Sequence, residues 1–259
     1  MQTTGNTILI TGGGSGIGRA LAEAFHRLGN QVEIAGRRQE LLDAATAANP
    51  GMASMRLDID GADAIRAFAA QVTRQHPRLN VVIQNAGIMR NEKVLSGDVS
   101  TAEETIATNL LGPIRLTAAL LPHLLAQPKA TLMTVSSGLA FVPLALAPTY
   151  SATKAAIHSY TQSLRYQLKD TAVEVLELIP PYVQTKLLDA KQAVDPYAMP
   201  LAEFIAEVMG ILTDSPEATE IRVKRVFAQR WAERDGTHET MFKTLNDARS
   251  AAAKAKAAT

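Results

Sequence analysis

Apolar runs of strand length alternate with helical patterns through most of this 259-residue chain, and that alternation restricts the fold more than any other feature. The strand-like runs are Thr7–Thr11, Gln31–Ala35, Ala53–Leu57, Val81–Gln84, Thr131–Val135 and Val173–Ile179. They are apolar on both faces, as strands of a parallel sheet are when helices cover both sides. Between them the spacing predicts helices over Ile17–Leu28, Gln39–Ala48, Gly61–His76, Thr101–Leu125 and Thr149–Leu168. Such alternation reads as a doubly wound α/β sheet with right-handed crossovers. Ligands of these sheets bind outside the carboxyl ends of the strands, so the residues just after each strand carry the functional information.

Past Ile179 the pattern changes. Pro180 and Pro181 stop the strand, because proline fixes φ and donates no hydrogen bond. Residues 185–200 mix helix formers with prolines and read as a mobile flap, with the flap region as a whole spanning about 185–212. Helices are expected over Leu201–Leu212 and Lys224–Arg234, with a short strand near Ile221–Val223 between them. Residues 1–249 are expected to form a single Rossmann-type domain. The Ala/Lys tail, 250–259, reads as a frayed helix or a disordered end.

Composition removes several classes of function. Twenty-six basic and 25 acidic residues leave a formal charge of +1, which offers no case for nucleic acid or an anionic membrane. No cysteine is present, so disulfides, thiol catalysis and Cys-based metal sites are excluded. No apolar stretch is long enough to span a bilayer, and a soluble cytoplasmic protein is expected. His26, His76, His123, His158 and His238 lack metal-ligand spacing and read as structural or surface residues, with no metal expected. Trp231 reads as a packing anchor.

Thr11 to Gly18 reads TGGGSGIG, between the first strand and the first helix. Glycines let the backbone turn tightly and approach a pyrophosphate, whose charge the first helical amides and the helix dipole favour. The bland alternative is a glycine-rich turn without a ligand. Five glycines in seven positions at a strand–helix junction argue against it. The second strand ends in Ile34-Ala35-Gly36-Arg37-Arg38, with no acid where one would bind ribose hydroxyls. Arg37 can fork onto a 2′-phosphate and stack beside adenine, so NADP(H) is favoured over NAD(H). The competing reading takes Arg37 and Arg38 as a solvated helix start.

Tyr150 and Lys154 stand four apart in the helical segment YSATK, which puts phenol and ammonium on one face. A nearby cation stabilises phenolate and lowers the phenol's pKa, making it an acid–base group for a carbonyl or an alcohol. By itself this pair arises by chance in many chains. Ser136 and Ser137, at the end of the fifth strand, add hydroxyls that hold a carbonyl oxygen, or that simply cap a loop. Asn109 sits mid-helix in TNLLG, where asparagine is a poor helix former.

Taken together, these residues resemble the short-chain dehydrogenase/reductase family, from about Gly5 to Thr185. TGGGSGIG resembles its cofactor loop, Asp58 its adenine-side acid, and Asn85-Ala86-Gly87 its NAG motif. Asn109, Ser137, Tyr150 and Lys154 resemble its catalytic tetrad; Ser137 is preferred to Ser136 because the family serine stands thirteen residues before the tyrosine. The resemblance implies a seven-stranded parallel Rossmann sheet with helices on both faces. It implies cofactor contacts at Gly12, Ser15, Gly16, Ile17, Gly18, Arg37, Arg38, Asp58, Asn85, Ala86, Gly87, Tyr150, Lys154, Pro180, Val183 and Thr185. In the implied mechanism Tyr150 is the general acid/base, Lys154 lowers its pKa and binds the nicotinamide ribose, Ser137 orients the substrate oxygen, and Asn109 holds a water linking Lys154 to solvent. The family is usually a homodimer or homotetramer, joined through the helices that carry Asn109 and Tyr150.

Three departures stand out: Pro181 where the family has glycine, Gln84 before the NAG run, and ERDGTHETMFKTLN in place of a Gly-Gly ending. The first and last resemble a bacterial subgroup of DltE-type oxidoreductases. Ser137, Leu139, Val142, Leu144, Tyr150, Tyr182, Val183, Leu187 and Leu188 lie on segments near the expected site, and suggest an apolar pocket for a ketone or aldehyde. The expected activity is NADPH-dependent carbonyl reduction, or the reverse oxidation. The alternatives are a nucleotide-binding regulator without turnover and a related chemistry on the same fold.

Overall fold

The structure, a computed structural model, describes residues 1–257. Strand β1 (Thr7–Thr11) is buried along its whole length, and its side chains alternate between two apolar cores. Ile8 and Ile10 face one core, with Leu21 and Phe25 of helix α1 (Gly16–Arg27). Leu9 faces the other, with Phe68 of α3 (Ala62–Gln75), Leu116 and Leu120 of α5 (Gly112–Leu125) and Leu164 of α6 (Pro148–Gln167). Each such fully buried aliphatic or aromatic side chain contributes roughly 1.5–3 kcal/mol of transfer free energy.

Seven parallel strands follow the order β3-β2-β1-β4-β5-β6-β7. Beside β1 these are β2 (Gln31–Gly36), β3 (Ala53–Arg56), β4 (Leu79–Gln84), β5 (Ala130–Val135), β6 (Val173–Ile179) and β7 (Glu220–Arg222). The fold is a doubly wound Rossmann sheet. Its order reverses between β1 and β4, and the crevice at their carboxyl ends is where such sheets bind ligands.

The expected elements form, with shifted ends. The strand expected over 221–223 covers 220–222, and the helix expected over 224–234 is a 3-10 turn, Lys224–Val226, followed by α8 (Phe227–Arg230). The single helix expected over 101–125 is three pieces: α4 (Ser100–Ile106), a π-helical turn (Ala107–Leu111) and α5. Pro113 has no N–H for the Asn109 carbonyl, and Gly112 N bonds Ala107 O, one residue further back than an α-helix allows. Two more helices complete the face layers: α2 (Gln39–Ala48) and α7 (Leu201–Asp214).

The segment read as a flap divides in two. Residues 182–199 form a loop tied by Gln192, whose Nε2 donates to Val183 O and Thr185 Oγ1. Beyond it α7 buries Phe204, Ile205, Val208 and Leu212 in the same core as α1. A last helix, α9 (His238–Ala257), occupies the segment with no assigned element in the sequence and runs into the Ala/Lys tail. Its signal was there: Met241, Phe242 and Leu245 at helical spacing after Gly236. Among the described residues no helix is long and apolar enough to cross a membrane.

Candidate active site

The glycine loop bends where only glycine bends easily. Gly12 and Gly16 have φ of 67° and 54°. Gly18 is required by space: a Cβ there would lie 2.4 Å from Asn85 Nδ2 and 2.5 Å from the Gly12 carbonyl oxygen. Thr11 closes the switch point from below. Its Oγ1 accepts from Asn85 N and Ala86 N, both at 3.1 Å, and Asn85 Nδ2 donates to Thr11 O at 3.0 Å. Nothing in the local sequence marks Thr11 for this role, which depends on β1 and β4 lying side by side. Thr185 borders the loop, 3.6 Å from the Cβ position of Gly16, while Ile17 packs on the core and Val183 is buried in it. Pro180 O accepts from Gly138 N at 2.9 Å.

Arg37 and Arg38 follow β2 at the rim of this loop. Arg38 Nη2 donates to Ser15 Oγ at 3.2 Å. Arg37 Nη1 donates to Asp60 Oδ2 at 3.4 Å, with Arg37 43% exposed. Asp60 was not anticipated. It is anchored by Thr108 Oγ1 at 2.6 Å, and its amide bonds Asp58 Oδ1, so both acids sit on one turn, with Asp58 exposed. A glycine cradle, a helix start without acidic residues and two guanidinium groups suit a dinucleotide's phosphates.

Helix α6 begins at Pro148, the position where a missing N–H costs nothing. One turn on, it presents Tyr150 and Lys154, each 5% exposed. Lys154 Nζ lies 5.6 Å from the Tyr150 ring centroid and donates to Val135 O, at the end of β5, at 2.7 Å. Ser137, after β5, accepts from Leu139 N through Oγ and also hydrogen-bonds Tyr150. Ser136 Oγ is buried without a hydrogen-bond partner among the described residues. Asn109 sits in the π turn, where Oδ1 accepts from Ile88 N at 2.8 Å and Nδ2 donates to Ile88 O at 2.9 Å. Gly87 allows this: its Cβ position is 3.3 Å from Asn109 Oδ1 and 3.8 Å from Lys154 Nζ. The four positions Asn109, Ser137, Tyr150 and Lys154, up to 45 residues apart in sequence, thus converge beyond β4 and β5.

The titration of this pair runs against the sequence expectation. Burial pushes the Tyr150 phenol up to about 12, with the Ser137 hydrogen bond pulling the other way. Burial pulls Lys154 down to about 8, opposed by the charge of Glu177. The phenol is not acidified here, because loss of water outweighs the Ser137 hydrogen bond and the Lys154 ammonium is directed at a backbone carbonyl.

Among the positions expected to face substrate, Leu139 and Leu144 pack with Tyr150, Ala147, Met89, Leu146 and Leu245 of α9. An apolar groove of about 390 Å³ runs past Leu139 and Leu144 to Phe242. Val142 is fully buried and Leu187 is 41% exposed, so neither joins this cluster. Tyr182 hydrogen-bonds Asp195 Oδ2 at 3.0 Å, beneath the Arg249 guanidinium at 4.3 Å. The contribution of α9 to this wall was missed by the sequence reading.

Comparison with known proteins agrees with this architecture. A family model described as short chain dehydrogenase matches residues 6–195. An uncharacterized oxidoreductase of Bacillus subtilis strain 168, DltE, is 37% identical over 251 residues, covering 95% of this chain and 98% of that one. A short-chain dehydrogenase of Burkholderia cenocepacia, solved in complex with NADP, superposes with a TM-score of 0.79 at 23% identity, over 95% of this chain and 99% of the other. One from Burkholderia phymatum, solved with NAD, also reaches 0.79 at 19% identity, over 91% and 95%. The chain belongs to the short-chain dehydrogenase/reductase family. It is an oxidoreductase on a fold that binds a nicotinamide cofactor.

Proposed function

We propose that this protein is an NADPH-dependent carbonyl reductase that converts an apolar ketone or aldehyde to the alcohol, with Tyr150 as the general acid. The observation that carries the reading is the convergence of Tyr150, Lys154, Ser137 and Asn109 at the carboxyl ends of β4 and β5. When bound, the nicotinamide supplies the hydride. Ser137 Oγ and Tyr150 Oη hold the carbonyl oxygen, and Tyr150 gives its proton to that oxygen as charge develops there. A phenol held near 12 is protonated at neutral pH, the state a general acid needs. Lys154 then lends positive charge as the phenolate forms, and Asn109, fixed by Ile88, orders the polar side of the chamber.

Preference for NADPH rests on Arg37 and Arg38 at the end of β2, where no acid would repel a 2′-phosphate. Asp60 holds Arg37 at the rim without occupying that position. An apolar substrate follows from the Leu139, Leu144 and Leu245 wall. Exposed Ile106 and Leu111, beside Asn109, and Tyr166 on α6 support assembly into a homodimer or homotetramer through those helices.

The test is turnover of wild type and Tyr150→Phe on aliphatic and aromatic ketones and aldehydes, with NADPH and NADH, followed by nicotinamide absorbance. The wild type is expected to prefer NADPH and apolar carbonyls, and the variant to lose about 10²–10⁴-fold in kcat. Equal turnover by both proteins removes Tyr150 from the chemistry. Oxidation of small charged alcohols alone, with NAD, overturns the remainder.

A further inference from the structure

A second buried ionisable group stands on the strand packed under the helix that carries Lys154, a strand the reaction itself does not use. Glu177 of β6 is fully buried. Among the described residues, the hydrogen bonds that reach its carboxylate come from His158 Nδ1, at 3.0 and 2.8 Å. His158 is one helical turn beyond Lys154 on α6, so both lie on the same face. The sheet register brings the carboxylate to that face. Glu177 pairs with Thr134, whose hydroxyl contacts Thr161 of α6, and the next residue of β5 is Val135, the acceptor of the Lys154 bond.

The other charges around the carboxylate are already committed. Glu220 on β7 comes within 4.8 Å of the His158 and Glu177 ligand atoms, a grouping with the composition of a metal site. Its carboxylate is instead gripped by Arg230 of α8 at 2.9 and 2.8 Å, with Arg222 at 3.6 Å. Arg230 and His158 both pack on the Phe141 ring. Glu220 is thereby neutralised from the β7 and α8 side. The ionisable groups left facing each other across α6 and β6 are Glu177, Lys154 and His158, with the Tyr150 phenol beyond.

Resting on the function proposed above, we infer that the buried carboxylate of Glu177, held in place by His158, is the counter-charge that keeps Lys154 an ammonium during catalysis. Glu177 is a positioning residue: it touches neither substrate nor cofactor and acts through Lys154. A buried ammonium without a counter-charge sheds its proton. The attraction of Glu177 opposes the desolvation of Lys154. His158 has 17% of its side chain exposed and reaches Gln162 through Nε2, so it also gives the pair its contact with the surface.

The experiment compares wild type with Glu177→Gln and Glu177→Asp by the pH dependence of kcat and KM. Lys154 is titrated in parallel by NMR in protein labelled at lysine Cε, its signal assigned by loss in Lys154→Arg. Glu177→Gln removes the charge and keeps the shape. Its alkaline limb and the Lys154 titration are expected to move to lower pH by about one unit, because removing a neighbouring anion favours the neutral amine. KM for NADPH is expected to stay within twofold and kcat at pH 6 within threefold. Glu177→Asp draws the charge back toward β6 and should shift both curves the same way by less. A purely structural role would lower kcat at every pH and leave the limb in place. Superposable wild-type and Gln curves overturn the inference. If the Gln variant does not fold, an unshifted Asp variant overturns it equally. Absence of any turnover in the wild type sinks the functional reading instead, while the NMR titration still decides the role of Glu177.

Discussion

Asn246 of α9 accepts a 2.6 Å hydrogen bond from Ala145 N, 101 positions earlier in the chain, and donates one of 3.1 Å to Pro143 O. The bonded loop leads from Ser137 to the start of α6, so the C-terminal helix braces the segment whose Leu144 packs against Tyr150. Leu245, the neighbouring residue, packs into the same cluster as Leu144 and Tyr150.

Removing this clamp should loosen the wall and spare the chemistry. Asn246→Ala is expected to raise KM for an apolar carbonyl substrate several-fold, with kcat within about twofold. The loss of stability should be about 1 kcal/mol, as for hydrogen bonds open to solvent. Steady-state kinetics and a urea melt check both. A large fall in kcat with unchanged KM would assign Asn246 a different role.

Cofactor choice should follow the rim of β2. Arg37→Ala is expected to raise KM for NADPH by about tenfold or more, the loss of roughly 1.4 kcal/mol or more of charge-assisted bonding. KM for NADH should change less, since it lacks the 2′-phosphate and would lose at most stacking of the guanidinium beside adenine. Asp60→Asn frees Arg37 from its 3.4 Å partner and is expected to lower KM for NADPH modestly. Fluorescence titration with both nucleotides measures each effect.

Gly18→Ala tests the cradle itself. The added methyl would stand 2.4 Å from Asn85 Nδ2 and 2.5 Å from the Gly12 carbonyl, and the latter is backbone and cannot rotate away. Overpacking of this kind costs about 1–3 kcal/mol. A fall in melting temperature together with weakened NADPH binding is expected. Gly210→Ala, within α7 and with no described atom within 4 Å of the added methyl, serves as the control: NADPH binding should be unchanged and stability should rise by about 0.5–1 kcal/mol, alanine being the better helix former.

Lys154 links activity and stability in opposite senses. Its proton is lost near pH 8 in the folded protein, against an ordinary 10.5. The rate of reduction should therefore fall as pH rises through about 8, where the ammonium beside Tyr150 disappears. The same depression means that burying the charged lysine disfavours folding below pH 8, and that this cost fades between 8 and 10.5 as the folded lysine becomes neutral. Lys154→Met is expected to abolish turnover yet raise stability by about 1–3 kcal/mol at pH 7, with the gain shrinking over that window. Denaturant melts at pH 7 and pH 10 read it; a gain that persists at pH 10 would contradict the assignment.

Local pattern alone determined a good deal of this protein. Ile8, Leu9 and Ile10 announce a strand buried on both faces, and the glycines of TGGGSGIG announce the turn after it, because side-chain periodicity and φ preference belong to each residue and its neighbours. The spacing of Tyr150 and Lys154 placed both on one helical face by the same logic. Tertiary structure decided what depends on positions far apart in sequence. Only the fold set Asp60 against Arg37, laid α9 along the 143–147 loop, and put Glu177 under the helix of Lys154. It also reversed the expected titration of Tyr150, because desolvation depends on everything packed around a group and no spacing along the chain encodes it.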